Sequence, residues 1–216
     1  MFGINIYRFS HTSLMEQKDT YKTITKPSEE ALFKDKNSKF YGYAFPVDNE
    51  DDVKLEIEKL KKQHYAARHW CYAYQLGTEQ IKYRANDDGE PNNSAGMPIY
   101  GQIQSFDVTN VLIVVVRYFG GVKLGVGGLI NAYRSAAQMA LEQSNIIEKT
   151  IDSTFIIKFD YKNMSRMMRI LKDNNANIVS QKLEIDCLLQ VSIRKGEAEK
   201  LYETIKKFHE VKISYL

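Results

Sequence analysis

The stretch VLIVVVRYFGGVKLGVGGLINAYR, Val111 to Arg134, changes character in its middle. Val111 to Val116 is an unbroken aliphatic run, the pattern of a strand buried on both faces rather than on alternate residues. Gly120, Gly121, Gly125, Gly127 and Gly128 follow within nine residues, and a helical pattern begins at about Leu129. A strand that leads through glycines into a helix can aim several backbone N–H groups, and the positive helix end, at one small volume. These glycines, with Lys123 among them, form a candidate anion or backbone-ligand site. The two common phosphate motifs are excluded: Val126 stands where a Walker loop needs lysine, and Gly125 to Ile130 lacks the third glycine of a dinucleotide fingerprint. The same glycines also serve tight turns and close helix packing without any ligand.

The chain around this stretch has 216 residues, enough for one large domain or two small ones. Its 44% hydrophobic and 26% charged residues are ordinary for a soluble protein and unlike a disordered one. The start MFGINIYRFS is a poor signal peptide, and no apolar run is long enough for a membrane span. Cys71 and Cys187 are too few for a disulfide framework, so the expectation is a cytoplasmic protein without a membrane partner. The net charge of +3 is uneven, with the excess of Lys and Arg lying beyond Glu148. That imbalance is compatible with RNA or an acidic protein and demands neither.

In chain order, residues 1–17 show no firm periodicity and read as an arm. Thr20 to Thr25 and Lys39 to Phe45 read as strands closed by Pro27 and Pro46. Asp48 to Asp52 marks a helix start, and Val53, Ile57, Leu60 and His64 recur on one helical face. Arg68 to Leu76 and Gln80 to Arg84 read as paired strands around Gly77, followed by NDDGEPNNSAGMP and a short helical piece near Ala95 to Gln104. Leu129, Tyr133, Ala136 and Ala140 mark the buried stripe of the helix after the glycines. Beyond it, Ser153 to the C-terminus follows the order β-α-β-β-α-β of a small ferredoxin-like sandwich. In its first helix Met164, Met167, Met168 and Leu171 form one stripe. The expected fold class is α+β, with domains at residues 18–145 and 150–216.

His69 and Cys71 are two apart on a predicted strand and share a face, a spacing open to metal binding or to a thiolate and its base. Two ligands do not complete a zinc site, however, and the pattern implies no metal and no cofactor. Asp87, Asp88 and Glu90 crowd one glycine turn, which calls for solvent, a cation, backbone N–H groups or basic partners such as Arg84, Arg117 and Lys123. The acidic turn can equally cap the helix start at Asn93 to Ala95. Arg117, Tyr118 and Phe119 could hold a phosphate and stack a base, or pack across the opening of the sheet. Tyr133 and Arg134 read as residues that pack or snorkel. In the second domain Lys162, Arg166 and Arg169 make a basic helix face, suited to RNA or only to solubility.

The blocks AARHWCYAY, DDGEP, SAGMP and VVVRYFGGVKLGVGGLINAY resemble, in their order, the signature of the IMPACT family, including its bacterial YigZ-like proteins. The resemblance implies a first domain like the second domain of ribosomal protein S5, a ferredoxin-like second domain, and a role linked to translation. In eukaryotic members that role implies binding a protein partner of a stress-response kinase. Two positions depart from the family pattern: Asn92-Asn93-Ser94 replaces Ser-Gly-Thr, which should stiffen the turn, and Asn131 replaces an arginine. The leading expectation is a non-enzymatic nucleic-acid or ribosome-associated protein. The alternatives are a small-molecule hydrolase using the acidic turn, His69 and the glycine loop, and a protein-binding regulator.

Overall fold

A computed structural model of the chain describes residues 19–216, so the expected arm at residues 1–17 lies outside the described residues. One unit runs from Thr20 to Ile151, and a second is built from Asp152–Leu216. The first contains β1 (Thr20–Ile24), β2 (Ala31–Asp35), β3 (Ser38–Pro46), α1 (Glu50–Gln63), β4 (His69–Leu76), β5 (Lys82–Asn86), α2 (Gly96–Ser105), β6 (Val111–Tyr118), α3 (Gly125–Glu142) and β7 (Ile146–Thr150). Five strands form an antiparallel sheet in the order β2-β3-β6-β4-β5, and β1 pairs with β7 in a separate antiparallel ribbon.

The aliphatic run of β6 lies at the centre of that sheet because it must satisfy two cores at once. Val111, Ile113 and Val115 enter the core that contains residues of α2 and α3, whereas Leu112, Val114 and Val116 enter the one that contains residues of α1. All six are fully buried, and each contributes about 1.5–3 kcal/mol as an upper estimate. On the α1 side Val53, Ile57, Leu60 and His64 are buried together, as their spacing predicts. Asn49 caps this helix by accepting from the Asp51 and Asp52 amides, and Lys61 and Lys62 occupy its last turn.

On the other side α3 lays Ala132, Ala136, Ala137 and Ala140 against the sheet. The approach is so close that a Cβ on Gly42 of β3 would collide with the Ala136 carbonyl oxygen, well inside 3.0 Å. α3 begins at Gly125, four residues before the expected start near Leu129. The glycines weaken only its first turn, while the packed alanine face behind them holds the helix in place. β2 and β7 are strands that the sequence pattern does not predict.

The second unit contains β8 (Asp152–Asp160), α4 (Met164–Asp173), β9 (Asn177–Lys182), β10 (Asp186–Arg194), α5 (Lys195–Lys206) and β11 (Lys212–Tyr215). Its strands form an antiparallel sheet in the order β11-β8-β10-β9. Phe155, Ile157 and Phe159 of β8 and Leu189, Val191 and Ile193 of β10 alternate into a core closed by Met167, Leu171, Ala198, Leu201 and Ile205. Two details differ from expectation. Met168 is 41% exposed because, about 100° round the helix from Met167, it falls off the covered stripe. Lys162 lies in a single 3-10 turn, Tyr161–Asn163, ahead of α4, so it does not share a helix with Arg166 and Arg169.

Candidate functional site

At the end of the five-stranded sheet, Phe40, Arg117 and His69 lie in one row across β3, β6 and β4. Residues paired across strands face the same side, so all three point toward the α2 and α3 layer, as does Cys71 two residues on. Along β6 the inward positions are Val111, Ile113 and Val115, and Arg117 continues their alternation with a charged side chain.

The buried polar cluster at this row is built on Glu90. Its Oε1 accepts from Arg117 Nη1 at 2.5 Å and from the Tyr133 hydroxyl at 2.7 Å, with His69 Nε2 at 3.9 Å. Tyr133, expected only to pack or snorkel, is therefore a hydrogen-bond donor to the acidic turn. Burial, with the nearby Cys71 and Glu90, pushes its hydroxyl far above the usual tyrosine range. Arg117 also lies 5.5 Å over the Phe40 ring and 5.5 Å over the Phe119 ring, and its buried Nε has no hydrogen-bond partner among the described residues.

The other two acids of the turn are spent on the backbone. Asp87 accepts from the amides of Asn93, Ala95 and Gly96, and so caps α2 from outside the helix. Asp88 accepts from the Trp70 amide, while its own carbonyl accepts from His69 Nδ1 at 2.8 Å. A carbonyl can only accept, so Nδ1 carries the hydrogen and Nε2 is the nitrogen left to take a proton. Cys71 donates its thiol to the Asp87 carbonyl, and burial pushes that thiol up, away from thiolate chemistry. A cation is also poorly served here, because Arg117 and Tyr133 already hold the Glu90 oxygen that faces His69.

His69 and Arg117, with Arg68 and Phe119, line a cavity of about 710 Å³. Glu90, Arg117, Lys123 and Gly125 line an adjoining cavity of about 390 Å³, again with Phe119 on its wall. Of the candidate residues, His69 lines the first cavity, Glu90, Lys123 and Gly125 the second and Arg117 both, whereas Cys71, Asp87, Asp88 and the other four glycines line neither. Gly120 is packed, since a Cβ there would collide with the Asn37 backbone, and its amide donates to Ser38 Oγ. Gly121 and Gly125 take φ values of +85° and +74°, and together with Gly127 they face open space. A Cβ at Gly128 would press against the Leu124 side chain. No side chain at the cap position Leu124 closes the first turn of α3, and that turn holds no acid.

In the second unit the three basic side chains have local partners. Lys162 pairs with Asp160 and Glu210, Arg169 pairs with Asp173, and Arg166 lies over the Phe208 ring. Sequence reasoning does not single out Arg68, or Glu30 and Tyr43, which bond to each other on the α1 side of the sheet. The available signal is parity: Tyr43 alternates with Phe45 on β3, and His64 ends the apolar stripe of α1.

The chain is 33% identical to the IMPACT family member YvyE of Bacillus subtilis over 155 residues, which span 72% of this chain and 71% of that protein. The chain belongs to the IMPACT family. The family's Impact N-terminal domain matches residues 36–141. The IMPACT family member YigZ of Escherichia coli is 30% identical over 162 residues, 73% of this chain and 78% of that one. A crystal structure described as a hypothetical protein aligns over 92% of this chain and 98% of its own, with a TM-score of 0.68 and 25% identity. Asn93, where the resemblance implies a glycine, takes φ +60°, a left-handed conformation that asparagine tolerates, and its amide reaches Asp87.

Proposed function

We propose that this IMPACT-family protein is a non-enzymatic, nucleic-acid- or ribosome-associated regulator of translation that contacts single-stranded RNA at the open end of its first sheet. The observation that carries this reading is Phe119. This residue is 50% exposed and lines both cavities, with Arg68 and Arg117 on one side and Lys123 and the uncapped start of α3 on the other. An exposed ring gives a base a stacking platform, and the flanking cations and helix amides suit a phosphate backbone. A catalytic reading is weaker, because Asp87, Asp88 and Cys71 are committed to internal hydrogen bonds. We read the first unit as a domain like the second of ribosomal protein S5. The order β-α-β-β-α-β with strands β11-β8-β10-β9 supports a ferredoxin-like second domain. Lys162, Arg166 and Arg169 form a secondary contact at most, since neighbouring acids offset two of them.

The test is binding of a single-stranded oligoribonucleotide, and co-sedimentation with ribosomes, across a salt series. Affinity should fall as salt rises, and removing Lys123 or Arg68 should flatten the slope by about 0.7 per phosphate contact. Phe119→Ala should cost about 1–3 kcal/mol of binding, the range for loss of one stacked base. Absence of binding to both targets at low salt overturns the proposal, and binding to a protein partner alone favours a protein-binding regulator.

A further inference from the structure

On the α1 face of the same sheet, behind Tyr118, four side chains form a continuous hydrogen-bonded chain that the RNA reading does not use. The Tyr43 hydroxyl lies 2.5 Å from Glu30 Oε2 and 2.7 Å from His64 Nε2, and His64 Nδ1 lies 3.1 Å from the Tyr118 hydroxyl. The sense of each bond follows from counting hydrogens. A carboxylate only accepts, so Tyr43 gives its one hydrogen to Glu30 and must accept from His64 Nε2. A neutral imidazole then has its lone pair at Nδ1, and Tyr118 donates into it. The hydrogen of Tyr118 is turned inward.

Tyr118 and His64 also line a cavity of about 500 Å³ together with Glu30, Lys39, Tyr41 and Phe119. With His64 neutral, that cavity meets only the lone pairs of the Tyr118 oxygen. A protonated His64 donates from both nitrogens, so Tyr118 becomes the acceptor and its hydrogen swings toward the cavity. The imidazolium adds positive charge to that of Lys39. Both changes favour an anionic oxygen on the cavity side.

We propose that this cavity is a second binding site, for a phosphate group, in which the protonation of His64 sets whether Tyr118 offers the phosphate a hydrogen. The groups that face His64 are consistent with this role. Glu30 and the carbonyl end of α1 favour the charged imidazole, whereas Tyr41, Tyr43 and Tyr118 enclose it and remove water. Burial is the larger influence and holds its proton affinity below the ordinary value, so a bound anion has room to raise it. The site does not depend on the RNA contact at Phe119, although a strand bound there could supply the phosphate.

The test follows the His64 ring by NMR through a pH titration of the full chain in chloride, in inorganic phosphate and with a short single-stranded RNA, at matched ionic strength. The expected result is a rise in the His64 pKa of at least about half a unit with one or both ligands, equivalent to roughly threefold tighter binding to the protonated form. A response to phosphate alone marks a free anion as the ligand, and a response to RNA alone marks a phosphodiester. Tyr118→Phe should reduce the rise to the part that the imidazolium charge carries alone, while Lys39→Gln should weaken binding and leave the rise in place at saturation. An unmoved or lowered His64 pKa with both ligands, or an equal rise in Tyr118→Phe, overturns the proposal. RNA binding that survives with an unmoved His64 removes this inference and leaves the proposed function intact.

Discussion

Arg117 and Glu90 form a buried ion pair, Nη1 to Oε1 at 2.5 Å, between side chains only 7% and 5% exposed. The two groups come from the last inward position of β6 and from the acidic turn, so the pair ties the turn to the sheet. Removing one partner leaves the other charged and dry, which costs about 3–5 kcal/mol. Glu90→Gln should lower stability by that amount in urea unfolding. Replacing both partners with apolar residues should recover much of the loss, because a dry ion pair stabilises little relative to packed hydrocarbon.

Asp87 should prove structural. Its carboxylate serves three amides at the start of α2, whose own cap residue, Ala95, offers no side-chain acceptor. Asp87→Ala should cost about 2 kcal/mol, the upper end for a lost helix cap, and Asp87→Asn should cost less because its remaining oxygen still accepts. Hydrogen exchange at the Ala95 and Gly96 amides would localise the effect.

Neither cysteine should react while the chain is folded. Cys71 and Cys187 are both buried, and burial drives the Cys71 thiol away from its reactive thiolate form. A thiol reagent at pH 8 should label the native protein slowly and label two thiols per chain once it is unfolded. Rapid labelling of Cys71 in the native state would restore a nucleophilic role.

The central features of the fold are legible in the sequence because their patterns are redundant. Six consecutive buried apolar positions on β6, and the spacing of Val53, Ile57, Leu60 and the cap residue His64 along α1, admit few alternatives. β2 is not legible because it is a short edge strand with little alternation. Its register depends on a two-residue turn at Lys36 and Asn37, both with positive φ, which joins Asp35 to Ser38. The composition of the acidic turn is visible, but not its direction. Whether Asp87 faces solvent or the amides of α2 depends on a backbone path that includes Asp88 at φ +43°, which no pattern of side chains encodes. Tyr133 differs from expectation for a related reason: helical spacing places it inward but does not say what its hydroxyl meets.

Gly42 offers a sharper test of the packing between α3 and the sheet. A methyl group there would meet the Ala136 backbone oxygen well inside 3.0 Å, closer than real contacts allow. Gly42→Ala should force the helix off β3 and cost about 1–3 kcal/mol or more, as overpacking does. Ala136→Gly should not relieve it, since the clash is with backbone and not with the alanine side chain.

The pH dependence of stability should carry the signature of His64. Its folded-state proton affinity is depressed from the ordinary value of 6.5, chiefly by burial and against the opposing charge of Glu30. As pH falls below 6.5, the unfolded chain takes up a proton at this position before the folded one does, so unfolding gains free energy. The stabilising contribution is therefore complete above pH 6.5 and is lost as pH falls through the lower folded value. Urea unfolding measured from pH 8 to pH 5 should show this decline, superimposed on that of the other groups, and His64→Gln should remove its own share. Glu30→Gln should steepen the loss, because without the carboxylate only the carbonyl end of α1 is left to favour the buried imidazolium. If the slope over this range is the same with and without His64, its burial does not govern its protonation.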